Sequence, residues 1–428
     1  MVVSLAVDLR DGFFEALGPG AKVVVMFEPD HASHRRKAPW GVNPIDLVLD
    51  VLEAASQSDF NNIIPTLFDS VRVGELDLSN RMVMSPLTRC RASAHRIPNE
   101  LMVEYYRQRS TAGLIISEAT SISPMGVGYP DTPGIWSSDQ IEGWKLITEA
   151  VHEENCHIVL QLWHVGRISD PIYLDGLLPV APSAIAPKGH VSLIRPQKPY
   201  VTPRALEYDE ILGIIEEYKT GAQNAVTAGF DGVEIHGANG YLLDQFLHSD
   251  VNHRTDSYGG SIENRARLML QVLDVAIGVW GEGRVGLHLS PCDDMHDVSD
   301  ADPLATYDYV AAEASHRKIA FICAREPRTK TWLGPALKKR FGGIYIANEL
   351  FTQESGEKVL SAGEADAVAY GQLFIANPDL PQRFLEGSAL NQPDASTFYT
   401  KGPHGYTDYP ALSHAHALKQ QLGNKLHH

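Results

Sequence analysis

At the end of a short, largely apolar segment lie three residues whose side chains could act together on a carbonyl compound. Residues 232–236 predict a buried strand that ends at His236, and Asn239 and Tyr241 follow it closely. At this spacing His236 and Asn239 can point two hydrogen-bond donors the same way, and the Tyr241 phenol can give up a proton. Two donors and a proton source suit the polarisation of a carbonyl and the protonation of a neighbouring atom. For each residue taken alone, a satisfied polar side chain at a strand end is the alternative.

The elements that would position these residues recur along the chain from Thr66 onward. Short apolar or β-branched segments alternate with longer segments of helical spacing, such as residues 208–228 and 262–280. Continuous apolar strands that alternate with helices indicate a parallel sheet covered by helices. The predicted strands are residues 81–86, 113–118, 157–162, 232–236, 284–289, 319–324, 342–347 and 367–371.

Eight such units favour an α/β fold of the (β/α)8 TIM barrel type over an open doubly wound sheet. Alternation alone does not show closure, so the open sheet remains the alternative. Polar residues follow the strands, and in a barrel these positions meet at one mouth. They are residues 86–88, Glu118, Gln161, His164, residues 236–241, Arg325 and Glu326. We therefore predict a barrel whose site lies at the carboxyl ends of its strands.

The pattern divides the chain into three regions. Residues 1–65 differ from the rest and predict an N-terminal extension of uncertain order, with one helical segment that starts at Pro44. Residues 66–410 are the predicted barrel, and residues 411–428 are a predicted polar C-terminal tail.

The composition of the chain indicates which partners and which cellular compartment to expect. The net charge of −17 argues against nucleic acid and anionic membranes as partners. Four scattered cysteines without metal-like spacing favour free thiols in a reducing compartment. No run approaches the ~18 apolar residues of a membrane helix, and the N-terminus is a poor signal peptide. The acidic loop at residues 290–303 lacks the spacing of a calcium loop. We expect a cytoplasmic protein without a bound metal.

Short motifs exclude several enzyme classes. Residues 281–286 match GxGxxG, but a predicted helix precedes them and a strand follows, which is the reverse of a dinucleotide-binding turn. The chain has no GxxxxGK[ST] and no GxSxG sequence. P-loop enzymes and hydrolases with a nucleophile elbow are therefore disfavoured.

Seven segments between Thr66 and about Tyr409 together carry a resemblance to a known family: residues 66–69, 80–89, 161–167, 236–242, 252–264, 374–380 and 405–410. Through these segments the chain resembles the old yellow enzyme family of FMN-dependent ene-reductases, whose fold is an eight-stranded βα barrel. The resemblance implies reduction of activated C=C bonds in α,β-unsaturated carbonyl compounds, with nitro compounds as a further class. It implies tightly but non-covalently bound FMN, NADPH or NADH as the reductant, and a monomer or homodimer.

The resemblance also assigns residues to a flavin site. Pro86, Leu87 and Thr88 would lie against the flavin, with Thr88 donating a hydrogen bond near its C4 carbonyl. Gln161 would bind the pyrimidine end of the ring. Arg284, from inside the fifth strand, would stabilise negative charge near N1. The other implied cofactor contacts are Ala119, Asn348, Gly371 and Gln372.

On the substrate side, the resemblance gives each of the first three residues a role. His236 and Asn239 would hold the carbonyl oxygen of the substrate. Hydride would pass from NADPH through flavin N5 to Cβ, and Tyr241 would protonate Cα from the opposite face. The nicotinamide of NADPH would use the same pocket. The mouth of this pocket would be lined by Trp163, Tyr406 and Tyr129.

The chain departs from the family at the phosphate end of the predicted flavin site. Gln372 stands where the family usually has an arginine that grips the phosphate, and Glu349 lies in the preceding phosphate loop. A charge-assisted hydrogen bond is about twice as strong as a neutral one. The alternative function is therefore an FMN-binding barrel with a weakened phosphate site and little turnover. An unrelated barrel enzyme, such as a lyase, is a third hypothesis, and no lysine at a predicted strand end supports it.

Overall fold

The computed structural model describes residues 64–292, 295–328 and 332–412. Most of the predicted extension, including the helix predicted from Pro44, lies outside the described residues. So does nearly all of the predicted C-terminal tail. Two aspartates of the acidic loop, Asp293 and Asp294, lie outside them as well.

Eight parallel strands form the barrel, and each lies within two residues of its predicted bounds. Each strand pairs with the next along the chain, and the last pairs with the first, so the ring is closed. The TIM barrel prediction is confirmed, and the open sheet is wrong. The strands are β1 (Met82–Met84), β2 (Leu114–Ile116), β3 (His157–Trp163), β4 (Gly232–His236), β5 (Val285–Leu289), β6 (Phe321–Arg325), β7 (Ile344–Asn348) and β8 (Ala367–Tyr370).

Helices cover the outside of the barrel, and their first turns have the expected caps. The Ser137 hydroxyl and the Gln140 side chain form a capping box at the start of α2, and Ser261 caps α5 in a similar position. Within the described residues, no helix is both long and apolar enough to cross a membrane. The helices are α1 (Glu100–Arg107), α2 (Ser138–Glu153), α3 (Tyr208–Thr227), α4 (Leu242–Leu247), α5 (Ile262–Trp280), α6 (Pro303–His316), α7 (Gly334–Phe341), α8 (Gln353–Ser361), α9 (Gln372–Ala376) and α10 (Leu380–Glu386).

Side chains alternate strictly between the two faces of the barrel wall. In β4, Val233 and Ile235 pack in the cluster between strands and helices, so Glu234 and His236 point into the barrel, because neighbouring residues of a strand face opposite sides. The same alternation brings Gln161 of β3 and His288 of β5 inside. Polar residues therefore lie together inside the barrel, near the carboxyl ends of its strands.

A hairpin of two short strands, Val71–Val73 and Leu76–Leu78, closes the amino end of the barrel. Its apolar side chains join the interior core cluster with residues of β1, β2 and β6. At its turn, Gly74 has φ +58°, and a Cβ there would lie 2.1 Å from the Gly283 carbonyl oxygen. Residues 281–286 thus form a helix-to-strand turn at the closed end, as predicted, and not a dinucleotide site.

Candidate active site

A cavity of about 590 Å³ opens at the carboxyl ends of the strands. This volume lies within the range of about 300–1,000 Å³ that is usual for small-molecule and cofactor sites. Twelve of the residues predicted for the site line the cavity: Pro86, Leu87, Thr88, Ala119, Gln161, Trp163, His236, Asn239, Tyr241, Asn348, Gly371 and Gln372. Three predicted residues, Arg284, Tyr406 and Tyr129, are not among the described residues that line it.

The turn after β4 places His236, Asn239 and Tyr241 on one wall of this cavity. The imidazole and phenol rings meet edge to face with centroids 5.1 Å apart, and Trp163 lies 5.0 Å from the phenol ring. The turn needs a glycine, since Gly240 has φ +70° and a Cβ there would lie 2.5 Å from the Met295 carbonyl oxygen. The residue spacing seen in the sequence is therefore a tight turn that brings three side chains together.

His236 is poised as a neutral hydrogen-bond donor. Burial lowers the pKa of His236 well below its usual value, and the neighbouring His288 lowers it further. At neutral pH the imidazole is uncharged and carries one N–H. Its Nδ1 is buried without a hydrogen-bond partner among the described residues. A buried imidazole with an unsatisfied nitrogen at a cavity wall suits a ligand oxygen.

Tyr241 keeps its proton for a similar reason. Burial raises the pKa of Tyr241 well above its usual value, and the nearby Tyr129 raises it further. The two hydroxyl oxygens are 2.8 Å apart, and either can donate. The Tyr241 phenol therefore remains protonated throughout the neutral range, as a proton donor must.

The same cavity also offers groups that fit a flavin ring. Gln161 Nε2 donates to Glu234 Oε2 at 2.7 Å, which leaves its second N–H and its carbonyl oxygen for the cavity. A flavin pyrimidine presents donors and acceptors side by side, so it can pair with such an amide. The Thr88 hydroxyl and the adjacent Pro86 and Leu87 line the same space.

The prediction for Arg284 is wrong. Arg284 precedes β5 and ion-pairs with Glu75 of the hairpin, with Nε and Oε2 2.8 Å apart. It also donates to the Asp231 carbonyl at 3.0 Å. A strand rises about 3.3 Å per residue, so Arg284 starts about 13 Å below the level of His288. The side chain is bound at the closed end of the barrel and does not reach the cavity.

His288 is the residue of β5 that faces the cavity, and the sequence reasoning missed it. It lies beside His236 in the strand register, and its Nδ1 is 3.3 Å from Glu234 Oε1. The signal was present in the alternation of β5, where Val285, Leu287 and Leu289 face the helices. A polar residue between them had to point inward.

The interior also holds a group of side chains with metal-ligand chemistry. Single ligand atoms of Glu234, His288 and Cys323 lie within 4.8 Å of one another, and all three residues are buried. They come from three strands, so no spacing in the sequence indicated them. Glu234 already accepts a hydrogen bond from Gln161 and contacts His288.

The prediction that Tyr406 lines the mouth is also wrong. Its ring is fully buried and stacks on Tyr105 with centroids 4.0 Å apart. The Arg91 guanidinium lies 4.4 Å above the same ring. Tyr406 is thus part of a buried aromatic and arginine cluster behind the site. Phe398 and Tyr399, a few residues earlier, line the cavity instead.

The phosphate end of the predicted flavin site is unusual in its backbone and its charge. Glu349 and Leu350 have φ +108° and +56°, which residues other than glycine rarely adopt. Glu349 Oε2 lies 2.7 Å from Arg325 Nε, so its charge is compensated. Gln372 is exposed at the start of α9, and Asn348 Oδ1 accepts a hydrogen bond from Ser85 at 3.1 Å. The ring half of the site fits a flavin better than the phosphate half.

Known proteins resemble the chain over most of the barrel. The family described as "NADH:flavin oxidoreductase / NADH oxidase family" matches residues 66–391. A putative 12-oxophytodienoate reductase 2 of Oryza sativa subsp. japonica is 44% identical over 360 residues, which are 81% of this chain and 94% of the relative. A probable flavin mononucleotide-dependent alkene reductase of Leishmania infantum is 42% identical over 373 residues, which are 84% of this chain and 100% of the relative.

Two solved structures share both fold and sequence with the chain. The old yellow enzyme homologue of Zymomonas mobilis is 44% identical with a TM-score of 0.79, and the match covers 81% of this chain and 100% of that one. Morphinone reductase, in a complex with tetrahydroNAD, is 47% identical with a TM-score of 0.79, over 81% of this chain and 98% of that one.

Proposed function

Because the chain belongs to the NADH:flavin oxidoreductase / NADH oxidase family, we propose that it is an FMN-dependent ene-reductase. Its substrates are α,β-unsaturated carbonyl compounds, and NAD(P)H is the reductant. The observation that carries the proposal is the arrangement of His236, Asn239 and Tyr241 in a cavity that also holds groups suited to a flavin ring. The names of two relatives, a 12-oxophytodienoate reductase and a morphinone reductase, fit the same substrate class.

The three residues act on two parts of the substrate, the carbonyl oxygen and Cα. FMN, when bound, supplies the hydride that adds to Cβ. His236 and Asn239 donate hydrogen bonds to the carbonyl oxygen and stabilise the negative charge that develops on it. Tyr241 transfers its phenolic proton to Cα, so that one hydride and one proton are added across the C=C bond.

We also propose bounds for the domains, contacts for the cofactor, a compartment and an oligomeric state. We assign residues 66–410 to the FMN-binding barrel, residues 1–65 to an N-terminal extension and residues 411–428 to a C-terminal tail. Pro86, Leu87, Thr88 and Gln161 contact the flavin ring, while Ala119, Asn348, Gly371 and Gln372 form the rest of the cofactor site. We place the enzyme in the cytoplasm, as a monomer or a homodimer.

A spectrum of the purified protein tests the proposed function. The protein should be yellow, or become yellow on addition of FMN, because an oxidised flavin absorbs visible light. Anaerobic NADPH should bleach the colour, and 2-cyclohexenone should restore it. A protein that stays colourless in excess FMN would contradict the proposal, and so would a reduced protein that 2-cyclohexenone cannot reoxidise.

The alternative, a flavin-binding barrel with little turnover, draws on Gln372 and Glu349 alone. Relatives at 42–44% identity that are named as reductases favour turnover. The two residues still predict a measurable weakness at the phosphate, and this weakness can be tested separately from catalysis.

Gln372→Arg is expected to tighten FMN binding by about tenfold or more, because a hydrogen bond to a charged group contributes about 1.5–3 kcal/mol. Quenching of FMN fluorescence on titration with apoprotein gives the dissociation constant. Riboflavin, which lacks the phosphate, should bind with unchanged affinity. Gln382→Arg adds the same charge on α10 and is the matched control. An equal gain for riboflavin and FMN would show that the new arginine does not act through the phosphate.

A further inference from the structure

We propose that Arg325 is a positioning residue for carbonyl activation: it holds the Asn239 amide so that its N–H groups face the substrate oxygen. The inference rests on the proposed function and adds to it a residue outside the three that touch the substrate. Arg325 is the last residue of β6 and lines the cavity. Of the described residues that line this cavity, it is the only arginine or lysine.

The backbone of Asn239 is bound on both sides. Its N–H donates to Ser290 Oγ at 2.7 Å, and its carbonyl oxygen accepts a hydrogen bond from His296 Nδ1 at 2.6 Å. The residue has φ +57°, a left-handed conformation that asparagine tolerates better than most residues. These bonds fix where the side chain starts but leave its amide free to rotate by half a turn.

Arg325 removes that freedom. Its Nη1 lies 3.1 Å from Asn239 Oδ1. A guanidinium has only donors, so the amide atom that faces it must be the oxygen. The amide nitrogen then faces away from Arg325, and it has no hydrogen-bond partner among the described residues. In the reversed orientation the amide would present its oxygen to the substrate carbonyl, and two acceptors would repel each other.

Arg325 is itself held in place by Glu349. The carboxylate Oε2 is 2.7 Å from Arg325 Nε, while Nη1 is directed to Asn239. Both side chains of the ion pair are mostly buried. The strained φ of +108° at Glu349 accompanies this contact, and such strain persists only where surrounding contacts maintain it.

The positive charge has a second effect on the same bond. When the carbonyl oxygen of an amide is bound to a cation, the amide is polarised and its N–H groups become stronger donors. Asn239 therefore transmits part of the Arg325 charge to the substrate oxygen as that oxygen becomes negative. Arg325 acts without touching the reacting atoms.

A double-mutant cycle tests this coupling in the FMN-loaded enzyme. Arg325→Met is expected to slow reduction of 2-cyclohexenone by the dithionite-reduced enzyme by about 10- to 100-fold, the range of a hydrogen bond to a charged group. In the Asn239→Ala background the same change should have an effect of less than about twofold, because the coupled group is gone. Arg325→Lys, which keeps a charged donor, should restore part of the rate.

The carbonyl stretch of 2-cyclohexenone bound to the oxidised enzyme gives a readout that loss of folding does not mimic. Hydrogen bonding lowers this frequency, so the shift should shrink in Arg325→Met and recover partly in Arg325→Lys. Arg284→Met, which removes an arginine at the closed end of the barrel, should change neither the rate nor the frequency.

Equal rate losses from Arg325→Met with and without Asn239 would overturn the proposal, as would an unchanged carbonyl frequency. If the wild-type enzyme reduced no enone at all, the proposed function would fail. The carbonyl frequency in bound 2-cyclohexenone would then still decide whether Arg325 orients Asn239.

Discussion

Tyr241→Phe is expected to slow alkene reduction by about 100- to 10,000-fold, the usual contribution of a positioned general acid. Bleaching of the flavin by NADPH should continue at nearly the wild-type rate, since that step needs no proton at Cα. The change removes one oxygen atom and keeps the ring, so the contacts with Trp163 and His236 persist. Stopped-flow measurement of each half-reaction separates the two steps.

Tyr129→Phe is the matched control for this substitution. It removes the hydroxyl that lies 2.8 Å from the Tyr241 hydroxyl but leaves the proton donor in place. Its effect on alkene reduction should be much smaller than that of Tyr241→Phe. Equal losses in both half-reactions of Tyr241→Phe would contradict the role of proton donor.

The pH dependence of alkene reduction follows from the pKa of Tyr241. Burial and the neighbouring Tyr129 raise this pKa above its usual value near 10, so the phenol holds its proton at every lower pH. Between about pH 6 and 9 the single-turnover rate should therefore show no decline from loss of this proton. A fall centred in that range would mean that another group donates.

His236→Phe is expected to lower kcat/KM for enones by about 100- to 1,000-fold, the cost of removing one donor from an oxyanion site. Phenylalanine keeps an aromatic ring near Trp163 and Tyr241 but cannot donate to the carbonyl oxygen. Because the pKa of His236 is lowered well below its usual value, the wild-type imidazole donates in its neutral form. Steady-state assays with 2-cyclohexenone measure the loss.

Two comparisons test whether the loss belongs to the carbonyl contact. His404→Ala, at an exposed position that pairs with Asp408, should leave kcat/KM unchanged. In the wild type, the carbonyl frequency of bound 2-cyclohexenone should be lower than in His236→Phe. A variant that keeps wild-type kcat/KM would show that His236 does not hold the substrate oxygen.

The barrel and the substrate half of the site could be predicted from the sequence because they depend on residues that are close together along the chain. Each strand is a short apolar segment, and the helices between strands are long enough for the crossovers that parallel pairing needs. His236, Asn239 and Tyr241 lie within six consecutive residues, so a single turn was enough to bring them together. The number of units favoured closure, and the pairing of β8 with β1 confirmed it.

Contacts between distant segments could not be predicted in the same way. Arg284 was predicted to reach the cavity, but it lies at the closed end of the barrel, and the residue of β5 that lines the cavity is His288, four residues further along the strand. Tyr406 lies in a conspicuous segment, yet only tertiary packing shows its ring buried against Tyr105 and Arg91. Both errors concern where a side chain lies relative to the cavity.

The barrel and the chemistry of the turn after β4 could be predicted because both depend on residue type and on spacing along one stretch of chain. The surroundings of that turn depend on contacts between distant segments, which only the folded structure shows. His288 beside His236, and Arg325 between Asn239 and Glu349, come from three different strands and two loops. Their contacts depend on strand register and on the rotation of each side chain, which no spacing in the sequence encodes directly.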